Sequence, residues 1–145
     1  MRFLSNKEKK ELSGKLPKGC SFSKKEEIKE EGNLIYKGKD KFLIILDGEY
    51  LPHLSCLDEN DYDDYKSVYV DKGAIPFIIK GADLMRPGIQ KIDEEIENGD
   101  IVLVRDENHN KIIAIGRSLF SSDDMKIQKK GKSIDIYHYV GDEYY

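Results

Sequence analysis

Apolar and polar positions along the chain mark out short elements, some with helical spacing and some with strand alternation. Ser5-Asn6-Lys7-Glu8 and Ser23-Lys24-Lys25-Glu26 both carry a helix-start signature. In it the serine hydroxyl and the glutamate carboxylate satisfy backbone N–H groups that the first turn leaves unpaired. The spacing predicts a helix from Ser5 that stops near Gly14, or at the latest before Pro17. It predicts a second, short helix from Ser23 ending at Gly32. Strand-like runs follow at residues 33–37 and 42–46. Asp47-Gly48 turns the latter into 49–54, where Pro52 argues for an edge or a strand end. Further on, Ser67–Val70 reads as a strand, and residues 73–80 as a helix with Pro76 in its first turn and Gly81 at its end. Residues 93–98 are helical in flavour but short. Residues 100–105 and 111–116 form a predicted hairpin, and residues 126–128 and 133–139 a second one across the lysines at 129–132. Short strands with glycine at the corners predict a small curved barrel.

Charge divides the chain further. Of 145 residues 39% are hydrophobic and 36% charged, yet the net charge is only −4. So balanced a chain does not read as disordered. Residues 1–57 hold 12 basic against 9 acidic side chains, a net +3; residues 58–66 hold 1 against 5, a net −4; residues 67–145 hold 11 against 14, a net −3. The middle stretch lacks apolar periodicity and reads as a solvated acidic linker, with a loop inside one continuous domain as the weaker alternative. The expected layout is therefore a small α+β domain over 1–66, linker included, followed by a mostly β domain over 67–145. The first is small enough to need support from the second. Apolar runs such as 42–46 fall far short of the ~20 residues that span a bilayer. The opening Met1-Arg2-Phe3-Leu4-Ser5-Asn6-Lys7 has no signal-peptide pattern. The expectation is a cytoplasmic protein with no membrane partner.

Catalysis finds little support. Residues 14–21 approach a phosphate-binding loop, but Cys20 stands where lysine must reach the phosphates and Pro17 interrupts the run. Asp58, Asp61, Asp63 and Asp64 imitate a calcium loop without its turn glycine or terminal glutamate. Cys20 and Cys56, 36 positions apart, read as two free, partly buried thiols, with a disulfide as the lesser alternative. His53, His109 and His138 are dispersed: His138 reads as a structural histidine on a strand, His109 as a surface residue in a turn, and His53 shows no partner. No catalytic residue, metal or cofactor is expected. The basic clusters are more informative. Lys126, Lys129, Lys130 and Lys132 crowd around Gly131, while Lys72, Lys80 and Arg86 flank the helix at 73–80 and the turn after it. Such lysines neutralise phosphates without sequence preference. A merely solubilising surface fits equally well.

Five blocks, in order, resemble the PUA domain. They are Val70-Asp71-Lys72-Gly73-Ala74-Ile75; Gly81-Ala82-Asp83-Leu84-Met85-Arg86-Pro87-Gly88-Ile89; Gly99-Asp100-Ile101-Val102-Leu103-Val104; Ala114-Ile115-Gly116-Arg117; and Gly131-Lys132 leading to His138-Tyr139-Val140-Gly141-Asp142. The resemblance implies an RNA-binding pseudo-barrel over residues 67–145. The Phe3-Leu4-Ser5-Asn6-Lys7-Glu8 opening, the Asp47-Gly48-Glu49 turn and Pro52-His53-Leu54 extend the likeness to the malignant T-cell amplified sequence family, in an archaeal-type form. His53 and the Tyr144-Tyr145 ending depart from that family's usual pattern.

This second resemblance implies a ribosome-associated protein of the translation apparatus. It would contact tRNA or small-subunit rRNA in initiation, re-initiation or recycling, and could take an initiation-factor-like protein partner. The alternatives are a ribosome-biogenesis adaptor with mainly protein partners and the RNA-binding module of an RNA-modification enzyme. By the same resemblance, RNA would meet Lys72, Lys80, Gly81, Ala82 and Arg86 on one side and Lys129, Lys130 and Lys132 on the other. Arg117 is within reach of a phosphate or committed to a structural salt bridge.

Overall fold

The computed structural model describes residues 1–57 and 64–145. Asp58, Asp61, Asp63 and most of the expected acidic linker lie outside the described residues. The chain divides into two compact units, Met1–Asp64 with Tyr144 and Tyr65–Glu143 with Tyr145.

In the first unit, helix α1 (Asn6–Ser13) begins where the sequence places it. Ser5 Oγ accepts the Glu8 N–H at 3.2 Å, and Glu8 Oε1 accepts the Ser5 N–H at 3.0 Å. Gly14 ends it. Leu12 packs into a core with Cys20, Ile28, Ile35, Phe42 and Leu43. That core covers an antiparallel sheet of β1 (Arg2–Phe3), β2 (Ile28–Glu31), β3 (Leu34–Lys37), β4 (Asp40–Leu46) and β5 (Glu49–Pro52), adjacent in chain order. Pro52 closes the edge strand, where a missing N–H costs no ladder bond.

The second expected helix does not form. The Ser23 N–H does donate to Glu26 Oε1 at 2.8 Å, but the chain only turns there and continues into β2. Glu31 pairs with Leu34, so Gly32, at φ +58°, is a hairpin corner and not a helix end. Capping chemistry is local, whereas burial of Ile28 against the sheet is tertiary and wins. Among the described residues the unit is consequently dominated by its sheet, beside the eight-residue α1, a less even mixture than the expected α+β layout.

The second unit is a bulged six-stranded sheet of β6 (Ser67–Val70), β7 (Leu84–Met85), β8 (Ile89–Ile92), β9 (Ile101–Asp106), β10 (Ile112–Ser118) and β11 (Lys132–Tyr139), in the order β7-β11-β10-β9-β6-β8. Strands β6 and β9 run parallel, and the other pairs antiparallel. Val68, Val70, Leu84, Val102, Val104, Ala114 and Ile134 line the core, closed by Ile78 from α2 (Ile75–Ile78) and Met125 from α3 (Ser122–Ile127). The register of β10 against β11 shifts between Ile115 and Gly116, one of the irregularities that curve the sheet.

Two expectations for this unit are corrected. Residues 126–128 are no hairpin arm. They end helix α3, whose first turn is capped by Ser121 Oγ on the Asp124 N–H at 3.2 Å, with Asp123 and Asp124 favourably placed at its N-terminus. Strand β11 pairs instead with β10 and β7. Residues 93–98 form turns, not a helix. Buried Ser122 holds them: its Oγ accepts the Ile96 N–H and donates to the Asp93 carbonyl, both at 2.7 Å. Among the described residues, no helix is long and apolar enough to cross a membrane.

Candidate nucleic-acid interface

The segment from Asp71 to Gly88 builds an open, mostly apolar cavity of about 450 Å³. Asp71 Oδ1 accepts the Ala74 N–H at 3.0 Å, which turns the chain into α2. Pro76 sits in the first turn of that helix, where its missing N–H costs nothing. Ile78 faces the core, which leaves Phe77 on the outer face at 67% exposure. Gly81 follows at φ +96°, and the Ala82 N–H returns to the Phe77 carbonyl at 3.0 Å. A Cβ on Gly81 would stand 3.2 Å from the Tyr139 hydroxyl. The position therefore needs glycine for its backbone conformation and for space beside Tyr139. Ala74, Phe77, Ala82, Met85 and Pro87 supply the apolar lining.

The basic loop is joined to this cavity by strand pairing. Lys132 stands opposite Met85 where β11 meets β7, and the Arg86 N–H donates to the Gly131 carbonyl at 2.8 Å. Gln128 shapes the loop from inside. Its Nε2 donates to the carbonyls of Lys130 and Lys132 at 2.9 and 3.2 Å, while its Oε1 accepts from Ser133 Oγ at 2.7 Å.

The nine expected RNA contacts therefore separate. Lys72, Lys80, Gly81, Ala82, Lys129 and Lys130 are exposed on the two segments that β7 and β11 bring together. Lys132 is exposed too, but its ammonium pairs with Asp135 at 3.0 Å and Asp83 at 3.2 Å. Those bonds, that to Asp135 foremost, hold its pKa above the usual lysine value. Arg86 is spent on the fold: Nε donates to the Met125 carbonyl at 2.7 Å and Nη1 to that of Ile89 at 3.0 Å. Arg117, on β10, donates to the Tyr137 hydroxyl at 3.0 Å and the Gly99 carbonyl at 2.6 Å. Those two bonds tie the guanidinium to the fold.

Sequence reasoning overlooked Phe77, Met85 and Gln128. Residues 75–79 form an apolar run longer than one helical turn can bury, and that was the available signal for Phe77. Elsewhere, His53 has the partner that its sequence context hid. It caps the 3₁₀ turn Leu54–Cys56, and its Nδ1 accepts the Ser55 N–H at 3.1 Å. His138 is buried against Asp142 at 2.8 Å, and exposed His109 meets Asp106 at 3.1 Å. Among the described residues, no group of three or more His, Cys, Asp or Glu side chains is placed to hold a metal ion.

This sheet, with its glycine loop and the basic loop docked on β7, is that of a PUA domain. The PUA family model matches residues 66–140, about half of the chain, and the protein belongs to that family. It is 40% identical to an uncharacterized protein of Methanocaldococcus jannaschii, over 97% of this chain and 92% of that one. It is 36% identical to Translation machinery-associated protein 20 of Saccharomyces cerevisiae, over 54% of this chain and 46% of that one. It is 30% identical to the Malignant T-cell-amplified sequence 1 homolog of Drosophila melanogaster, over 72% and 59%. The matches thus span about half the length of these two eukaryotic relatives. Among solved structures, a PUA-domain protein of Aeropyrum pernix superposes with a TM-score of 0.83 at 26% identity, over 98% of this chain and 86% of that one.

Proposed function

We propose that this protein is a non-catalytic RNA-binding component of the translation apparatus, contacting tRNA or small-subunit rRNA in initiation, re-initiation or recycling. One observation carries the reading: β7–β11 pairing joins the loop that carries Lys129 and Lys130 to the segment that lines an apolar cavity with exposed Phe77, within a PUA domain. Lysines take phosphates, and an exposed aromatic face takes an unstacked base, so the pair suits single-stranded RNA or a splayed end. The name of the Saccharomyces relative supports the link to translation.

Filter binding of bulk tRNA and small-subunit rRNA fragments at several salt concentrations tests this. The double change Lys129→Ala, Lys130→Ala should flatten the salt slope by roughly 1.4, at ~0.7 per single-strand phosphate contact. Phe77→Ala should weaken binding by about 1–3 kcal/mol per stacked base and leave the slope unchanged. Parent-like binding by both variants would refute the site. A second reading, a mainly protein partner such as an initiation-factor-like protein, is favoured by the exposure of Phe77, Ile79 and Met85 on one segment. Weak, salt-insensitive RNA binding beside tight protein binding would establish it.

A further inference from the structure

Cys20 and Cys56 are separated by 36 positions in the chain, yet their sulfur atoms lie 3.9 Å apart. We propose that they form a reversible intramolecular disulfide, a redox site in the first unit.

Each cysteine lies outside the strand ladders. Cys20 follows Gly19 in the irregular stretch after α1, its N–H bonded to the Pro17 carbonyl at 3.2 Å; Cys56 ends the 3₁₀ turn after β5, its N–H bonded to the His53 carbonyl at 3.0 Å. Closing from 3.9 Å to an S–S bond of about 2.05 Å takes roughly 2 Å of approach, within reach of side-chain rotation and small loop adjustment. The two thiols differ in access. Cys20 is 9% exposed. Cys56 is half-buried and lines an open cavity of about 500 Å³ with Lys37, Lys39, Lys41 and Asp40. Cys56 is the more accessible of the two, which makes it the attacking sulfur.

With a peroxide as oxidant, the Cys56 thiolate attacks one peroxide oxygen. An S–O bond forms, the O–O bond breaks, and the leaving oxygen takes up a proton as water. Cys20 sulfur then attacks the Cys56 sulfenic acid, the S–O bond breaks, and a second water leaves. Two thiols lose two electrons, and one hydrogen peroxide becomes two waters. The product ties the stretch after α1 to the 3₁₀ turn after β5. A dithiol reductant reverses it.

The test treats the full chain with stoichiometric hydrogen peroxide and follows intact mass. The expected product is a monomer lighter by about 2 Da, restored by dithiothreitol. Trypsin cleaves after Lys18, Lys24, Lys41 and Lys66, so digestion without reductant should yield one cross-linked peptide pair containing Cys20 and Cys56. The oxidised monomer should melt on the order of 10 °C higher than the reduced one. Cys56→Ser, at the more accessible position, should abolish both the mass change and the shift. Sulfinic acid, a gain of about 32 Da, or disulfide-linked dimers in place of the lighter monomer would overturn the proposal.

Discussion

Gly116 occupies a point on β10 where any side chain would enter the neighbouring strand. A Cβ there would lie 2.2 Å from the Asp135 carbonyl oxygen and 2.9 Å from Ile134 Cγ2. The oxygen belongs to the β11 backbone and cannot yield without disturbing the pairing. Gly116→Ala should therefore cost about 3 kcal/mol in urea unfolding, at the upper end for overpacking. Glu8 makes a different single-residue case. Its hydrogen bond from the Ser5 backbone, and then that from Arg2, hold its pKa below the ordinary glutamate value. A lowered folded pKa contributes stability above the unfolded value of about 4.3 and loses it as pH falls through the folded one. Stability measured from pH 6 to pH 2 should fall less steeply in Glu8→Gln than in the parent. Ser5→Ala should cost about 1 kcal/mol at neutral pH. This capping box was legible in the sequence because all its partners lie within one turn.

At the scale of elements, the loop between α3 and β11 depends on Gln128, which bonds two of its carbonyls and Ser133. Gln128→Ala should loosen the loop without removing a charge. Affinity for tRNA should drop several-fold with the salt slope preserved, in contrast to the lysine pair. Filter binding at several salt concentrations separates the two. Strands β6, β9 and β10 were readable from alternation and β-branched content. Helix α3 was not, because the lysines after it read equally well as a hairpin corner. Its Ser121 cap and buried Met125 decide the matter only once β11 is known to pair with β7. The same competition defeated the capping signal at Ser23, where β2 pairs with β3.

For the molecule as a whole, the two units hold separate apolar clusters. The cluster of the second lies within Tyr65–Glu143. We expect a fragment of residues 65–145 to fold alone, with a dispersed two-dimensional NMR spectrum. Residues 1–57 should be marginal, since a chain near 60 residues buries only about 60% of the surface its unfolded form exposes, less than a larger domain does. A collapsed spectrum for the first fragment would show that its core needs the other unit.

The basic residues and the glycine at 81 could be picked out along the chain because charge and backbone freedom are properties of single positions. Their division of labour could not. Arg86 and Lys80 look alike as cations six positions apart, yet one guanidinium is bound to two carbonyls while the other side chain is exposed. Arg117 likewise serves Tyr137 and Gly99. Which cation is spent inside the fold depends on which carbonyls and carboxylates the strands carry to it, and pairings such as Lys132 with Met85, 47 positions apart, have no local signature. The contact of Cys20 with Cys56 arises the same way. Local chemistry set the repertoire of groups, and long-range pairing chose which remain available to a partner.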